Sequence, residues 1–255
     1  GMTWDGFTRK FEQMEGIVEE FIEGDEKESP SVQMRITPLG EPQIISTHDQ
    51  ALGGNSGQVY LGCRFPANRD YRQMITERAH YVGEVLRDRG VLGRFAIDFL
   101  VYRNAGEEWQ CGAIEINLRM GGTTFPFTAL DFLTGGAITG DGDYRSRTGV
   151  LKYYFATDAL VSPSYRGLLP QDFLEIVISH GLHFSPSTET GVLFHMIGAL
   201  SQFGKLGVIC IGNSAQEADD LYQKTRDVLD METDPTHKSH GELMSMFDDF
   251  PHLMD

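Results

Sequence analysis

Two alternating runs constrain this chain most. Arg94 to Tyr102 and Gln110 to Leu118 each alternate apolar and polar residues, and the turn-forming Asn104-Ala105-Gly106-Glu107 lies between them, which predicts a β-hairpin. Side chains change face at every residue of a strand, so Glu115 and Asn117 share one face while Ile114, Ile116 and Leu118 share the other. On the first run Ala96, Asp98 and Leu100 oppose Phe95, Ile97, Phe99 and Val101. A turn between Gly106 and Glu107 sets Asp98 opposite Glu115. Like charges at that cross-strand separation, about 5 Å, repel each other, so two facing carboxylates require a cation. Mg²⁺ suits them because it takes one or two carboxylates together with waters and phosphate oxygens. Asn117 adds a neutral carbonyl oxygen, and Arg119 follows on the same face as a bidentate partner for phosphate. The competing reading is a solvent-facing hairpin with an incidental Glu–Arg pair. One step of register slip separates Asp98 from the other groups, so the register decides between the two.

The rest of the sequence supports a folded domain around this hairpin. The chain has 255 residues, enough for one large domain or two small ones, with 40% hydrophobic and 23% charged residues. A formal charge of −16 argues against nucleic acid or an anionic membrane surface as the main partner, since both need clustered Lys and Arg. No apolar run reaches the roughly 18 residues of a membrane span, and no signal peptide is expected. Cys63, Cys111 and Cys210 are widely spaced and odd in number, which fits reduced thiols and a cytoplasmic location.

Periodicity predicts a short helix over 3–15, a strand at Ile17 to Gly24, strands at Ser31 to Ile36 and Gln43 to Thr47, and a mobile loop from His48 to Gly57. A helix is expected from the N-cap Asn68 to about Arg89, burying Tyr71, Met74, Ile75, Val82, Val85 and Leu86. Another should follow Gly122 and end at Gly135-Gly136. Beyond it come a strand at Val150 to Ala156, helices near 171–179 and 191–203, a strand at Gly207 to Gly212 and a helix from Ala215 to Leu229. The acidic tail from about 230 reads as disordered. The mixture indicates an α+β fold.

The sequence resembles the C-terminal half of an ATP-grasp ligase. Glu115-Ile116-Asn117-Leu118-Arg119 is similar to that superfamily's Glu-x-Asn-x-Arg metal and phosphate signature, and Gly93 to Phe99 resembles the strand carrying its other acidic ligand. Ile17 to Gly24 resembles the hinge strand against which adenine packs. Ser46 to Gln50, Gly121-Gly122-Thr123-Thr124 and Thr190-Gly191-Val192 resemble peptide ligases of the pheganomycin type over residues 15–230. The resemblance implies an ATP-grasp-like antiparallel sheet with packed helices in 3–149, a small C-terminal α/β subdomain in 150–230, and a tail in 231–255.

It further implies ATP-dependent joining of a small-molecule carboxylate to an amine (an amino acid or peptide) through an acyl phosphate, with Asp98, Glu115 and Asn117 holding Mg²⁺ and Arg119 stabilising the transferring phosphoryl group. Adenine would lie near Glu19, Glu20 and Ile22, with the backbone of Phe21 and Ile22 at its edge and Glu28 near the ribose. Arg35 is a candidate cation for the anionic substrate. His48 and Asp49 are candidates for substrate contact in a closing loop, with turn stabilisation as the alternative. The family's glycine-rich loop and phosphate-gripping lysines belong to an upstream subdomain. The expectation is therefore weak ATP binding by this chain alone, with a fragment, a separate N-terminal subunit, or a binding module without activity as the explanations.

Other signals carry less. Cys63 with His48 suggests thiol catalysis, but a small buried hydrophobe is the better reading of Cys63. Gly54-Asn55-Ser56-Gly57 lacks the spacing of a nucleophile elbow. Asp141-Gly142-Asp143 reads as a turn rather than a calcium loop, and His180, His183, His195, His237 and His240 form no metal motif.

Overall fold

The computed structural model describes residues 3–54 and 59–234. In chain order the elements are α1 (Trp4–Met14), β1 (Glu26–Glu28), β2 (Pro30–Ile36), β3 (Pro42–Gly53), β4 (Val59–Phe65), α2 (Arg69–Asp88), β5 (Gly93–Arg103), β6 (Gln110–Asn117) and α3 (Thr124–Thr134). There follow β7 (Ala137–Ile138), β8 (Tyr144–Arg145), β9 (Tyr153–Val161), α4 (Pro170–Ser179), β10 (Gly191–His195), α5 (Leu200–Phe203), β11 (Lys205–Gly212) and α6 (Ala215–Thr233). Nine of the strands join in one antiparallel sheet. Across it run β6, β5, β2, β3, β4, β9, β11 and β10, with β1 pairing the far end of β5 beyond β2. The pair β7–β8 stands apart.

Three apolar layers hold the helices to this sheet. Under α2, Tyr71, Ile75, Ala79 and Leu86 meet Val32, Met34, Phe95, Ile97, Phe99 and Val101. The helix begins at Asn68, whose side chain accepts from the Asp70 N–H, and stops before Gly90, which takes the left-handed φ of +80°. Phe127 and Leu130 of α3 pack on Cys63, Phe65, Tyr154, Ile209 and Ile211. Phe173 and Val177 of α4 and Leu229 of α6 cover Leu160, Leu206, Val208 and Cys210. No helix among the described residues is long and apolar enough to cross a membrane.

Several local expectations are corrected. Ile17 to Gly24 is not a strand, and Ile17, Val18 and Phe21 are exposed. A strand needs a neighbouring ladder, and the edge of β5 nearby is taken by β1, through Glu26–Arg103, Lys27–Tyr102 and Glu28–Val101. The supposed loop from His48 is strand as far as Gly53, because β3 is paired on both sides, to β2 as far as Pro30–Asp49 and to β4 from Asp49–Arg64 to Gly53–Val59. Residues 55–57 of that loop lie outside the described residues.

The helix expected over 191–203 is replaced by β10, which pairs with β11 from Gly191–Ile211 to His195–Gly207, with only a short helical end at α5. At Gly191, φ is +126° and a Cβ would collide with the His183 carbonyl, so this strand must begin on glycine. The strand expected at Val150 to Ala156 is shifted to Tyr153–Val161. Val85 of α2 is 37% exposed rather than buried. The last helix runs to Thr233, past the expected onset of the tail, and residues 235–255 with His237 and His240 lie outside the described residues.

One junction joins the β2–β6 side of the sheet to the β9–β11 side. Here β4 meets β9 through Cys63–Ala156, Arg64–Phe155 and Phe65–Tyr154. Gly62 lies at its end, where an added Cβ would collide with the Ala156 carbonyl oxygen. Gly62→Ala should therefore spread β4 from β9 and cost about 1–3 kcal/mol, the range typical of overpacking. Urea denaturation followed by fluorescence measures it.

Candidate functional site

Next to the turn Tyr102 pairs with Gln110 and Phe99 with Ala113, one residue out of the expected register, and a bulge restores that register at the site. Asp98 pairs with Glu115, Ile97 with Ile116 and Ala96 with Asn117, and a bulge follows between Asp98 and Phe99. Burial fixes the facing of β5, because Phe95, Ile97, Phe99 and Val101 fill the core beneath α2 and leave Ala96 and Asp98 on the opposite face. On its other side β5 pairs with β2, setting Ser31 against Asp98 and Gln33 against Ala96. As an outer strand, β6 leaves Ile114, Ile116 and Leu118 exposed, so its apolar face is only partly covered.

These groups wall a cavity of about 340 Å³. Asp98, Glu115, Asn117 and Arg119 line it, together with Ser31, Gln50 and Tyr60 from β2, β3 and β4 and Gly121 to Thr123 before α3. Burial raises the Asp98 carboxyl above the usual carboxylate range and the Glu115 charge raises it further, while hydrogen bonds from Ser31 and Gln50 oppose them. The Asn117 amide donates to Asp98 Oδ2 at 3.2 Å, and a half-turn of that amide presents its carbonyl oxygen instead. Arg119 reaches only the Met120 carbonyl, at 3.4 Å, and makes no ion pair among the described residues.

The donor set of two carboxylates and one amide oxygen is hard and oxygen-only, which fits a small divalent cation. No group of three His, Cys, Asp or Glu side chains arranged for a metal occurs among the described residues. Here the third donor is an amide. Gln33, 3% exposed, accepts from the Thr124 hydroxyl at 3.1 Å and keeps an unpartnered buried N–H. This bond ties the start of α3 to the site face of β2.

Other expected site residues lie elsewhere. Glu19, Glu20, Phe21 and Ile22 sit in the irregular segment before β1 and do not line the cavity. Phe21 stacks instead under the Lys27 ammonium, 4.9 Å from its ring centre. Glu28 belongs to β1, and Arg35, on the site face, hydrogen-bonds Gln43 at 2.8 Å. His48 and Asp49 are interior strand residues. His48 is fully buried against Phe65 and Tyr154, 2.7 Å from the Tyr154 hydroxyl. Asp49 accepts from the Tyr71 hydroxyl and the Asn68 N–H, both at 2.8 Å, and so anchors the start of α2. Ser31, Gln50 and Tyr60 were not among the expected site residues, since Gln50 fell in a stretch expected as loop, Tyr60 in no expected element and Ser31 at the start of an ordinary strand. For Ser31 the alternation that puts it on one face with Gln33 was the signal, and Gln50 and Tyr60 had none.

A family model described as "IQCH-like, ATP-grasp" matches residues 2–139, more than half of the chain. The chain belongs to the ATP-grasp family. A second model, "PGM1 C-terminal domain", matches residues 172–225. L-propargylglycine–L-glutamate ligase of Streptantibioticus cattleyicolor is 36% identical over 214 residues, covering 84% of this chain and 42% of that protein. IQ motif-containing protein H of Danio rerio is 26% identical over 117 residues, 46% of this chain and 11% of that protein. The chain thus spans less than half the length of either relative. Among solved structures, the biotin carboxylase–β,γ-ATP complex from Campylobacter jejuni matches with a TM-score of 0.54 at 13% identity, covering 93% of this chain and 56% of that one. At that identity the likeness is one of fold.

Burial of His48 yields a prediction. Desolvation holds its imidazole at about 3, against an ordinary 6.5, so it stays neutral in the folded chain. Between those values the unfolded chain binds the extra proton, so this group's contribution to stability falls as pH falls, by about 1.4 kcal/mol per unit. Burial pushes Asp49 the other way, up to about 6, and its contribution falls as pH rises toward 6. His48→Gln keeps a partner for Tyr154 and removes the imidazole titration. Urea denaturation between pH 4 and 6.5 should show a smaller acid loss for this variant than for the wild type.

Proposed function

We propose that the chain carries the metal- and phosphate-binding part of an ATP-dependent carboxylate–amine ligase. The observation that carries this reading is the pairing of Asp98 with Glu115 across β5 and β6, with Asn117 beside them and Arg119 on the same cavity wall. The identity to L-propargylglycine–L-glutamate ligase supports amino acids or short peptides as the joined partners.

In this reading Asp98, Glu115 and Asn117 hold Mg²⁺, which when bound neutralises phosphate charge. Arg119 is free to turn its planar guanidinium onto phosphate oxygens, and Gly121 to Thr123, just before α3, line the same wall. A carboxylate becomes an acyl donor only when its oxygen is phosphorylated. Phosphoryl transfer asks the protein for position and charge, and these residues supply both. No lysine lines the cavity, so within it the cationic role falls to Arg119. The lysines of the family resemblance would come from outside it, whether from further chain or from a separate subunit.

The non-catalytic reading predicts that removing a carboxylate leaves Mg-ATP binding unchanged. Calorimetry with Mg-ATP should show at least about tenfold weaker binding for Glu115→Gln than for wild type, about 1.4 kcal/mol, with the melting temperature preserved. Identical isotherms for the two proteins overturn the proposal.

A further inference from the structure

A second cavity, of about 270 Å³, adjoins the metal site and shares Tyr60, Gly121 and Gly122 with it. Its remaining walls come from three separate parts of the fold. Phe125 and Pro126 begin α3, Ala156 to Asp158 lie along β9, and His195 and Met196 end β10. The polar groups divide unevenly. Thr157 is committed, donating to the Leu61 carbonyl and accepting from the Ala159 N–H. Asp158 is exposed and makes no ion pair among the described residues. No lysine or arginine lines the cavity.

His195 is clamped in place. Its ring makes an edge contact with Phe125, with centroids 5.0 Å apart, and lies over Gly207, where any Cβ would collide with it. Burial lowers the His195 pKa and the Asp158 charge partly restores it, leaving a neutral imidazole at neutral pH. The next residue, Met196, holds a left-handed φ of +59°, uncommon for a side chain of this kind. Tyr60 lines both cavities and so stands between them; burial raises its hydroxyl pKa, with Cys63 and then the Asp158 and Asp98 charges adding to it.

A wall bearing a carboxylate and a neutral imidazole but no cation disfavours carboxylates and phosphates and favours an ammonium group. Phe125, Pro126, Ala156 and Met196 supply apolar surface around it. We infer that this cavity is the subsite for the attacking amine, taking an α-amine with an apolar side chain, with Asp158 holding the ammonium and His195 accepting its proton. The assignment rests on the ligase reading and gives that reading its second substrate.

In the step itself the ammonium gives one proton to the His195 imidazole. The freed nitrogen lone pair forms the C–N bond to the acyl carbon, the C–O bond to phosphate breaks with its electron pair leaving on phosphate, and the second nitrogen proton passes to water.

The test uses three probes, L-leucinamide, N-acetyl-L-leucinamide and glycinamide, titrated into the protein and followed by ligand-observed NMR. L-leucinamide should bind. The acetylated probe, without the ammonium, and glycinamide, without the side chain, should each bind at least about tenfold more weakly. Asp158→Asn and Met196→Lys, both at exposed positions, should lose L-leucinamide by the same factor while melting as the wild type does. Absence of L-leucinamide binding, equal binding of all three probes, or unchanged binding by both variants overturns the subsite. Mg-ATP titrated into the same preparations separates the two proposals. Nucleotide binding without L-leucinamide binding removes the subsite and leaves the ligase reading, whereas the reverse leaves an amine site and removes the ligase reading.

Discussion

The opposition of Asp98 and Glu115 across β5 and β6 is the constraint around which the site is organised. Two carboxylates in that position repel each other, and the arrangement persists because moving either one is more costly. Sliding β5 by one residue would bury Asp98 under α2 and expose Ile97 and Phe99, both fully buried. The apolar core beneath α2 therefore holds the acidic pair together on the other face. Stability is secured on one side of the sheet, and on the other the two carboxylates are held on one cavity wall.

The long strand β3 extends this logic through the molecule. It pairs with β2 and then with β4, and β4 meets β9, so the hairpin and the β9–β11 strands share one sheet. His48 and Asp49 sit at the middle of that path. The neutral imidazole packs among Phe65 and Tyr154, and the carboxylate fastens the start of α2. Both make contacts that hold the sheet and α2 in place, and the cavities of the site lie beside Tyr60 and the start of α3. Tyr60 and Gly121-Gly122 form the shared wall, and on Gly122 a Cβ would come within 3.2 Å of the Tyr60 ring. A larger residue there would press the two cavities together.

Family membership and site geometry bear on different questions. The family match accounts for the sheet, and a fold alone can host many reactions. The chemistry depends on which oxygens and cations face one cavity. Two carboxylates, an amide and an arginine suit phosphate with a divalent ion, and a neighbouring wall with a carboxylate and no cation suits an amine. The two cavities adjoin, as joining an activated carboxylate to an amine requires.

Alternation and turn residues were enough to place β5, β6, α2, α3, α4, β11 and α6, because period-two and helical patterns are local; the expected pairing of Asp98 with Glu115 is met through a bulge that the turn residues did not signal. The Glu115-Ile116-Asn117-Leu118-Arg119 run was legible for the same reason. Tertiary structure alone decided the rest. Ile17 to Gly24 has strand-like residues but no ladder to join, whereas Asp49 to Gly53, expected as loop, is strand because β4 pairs along it where β2 ends. Val192 to Phe194 extend because β11 lies alongside. Which distant residues meet in a cavity, Ser31, Gln50 and Tyr60 in one and Phe125, Asp158 and His195 in the other, is set by how the strands stack, and no short stretch of sequence encodes that order. Local preference fixes a residue's conformation only where no long-range partner outbids it.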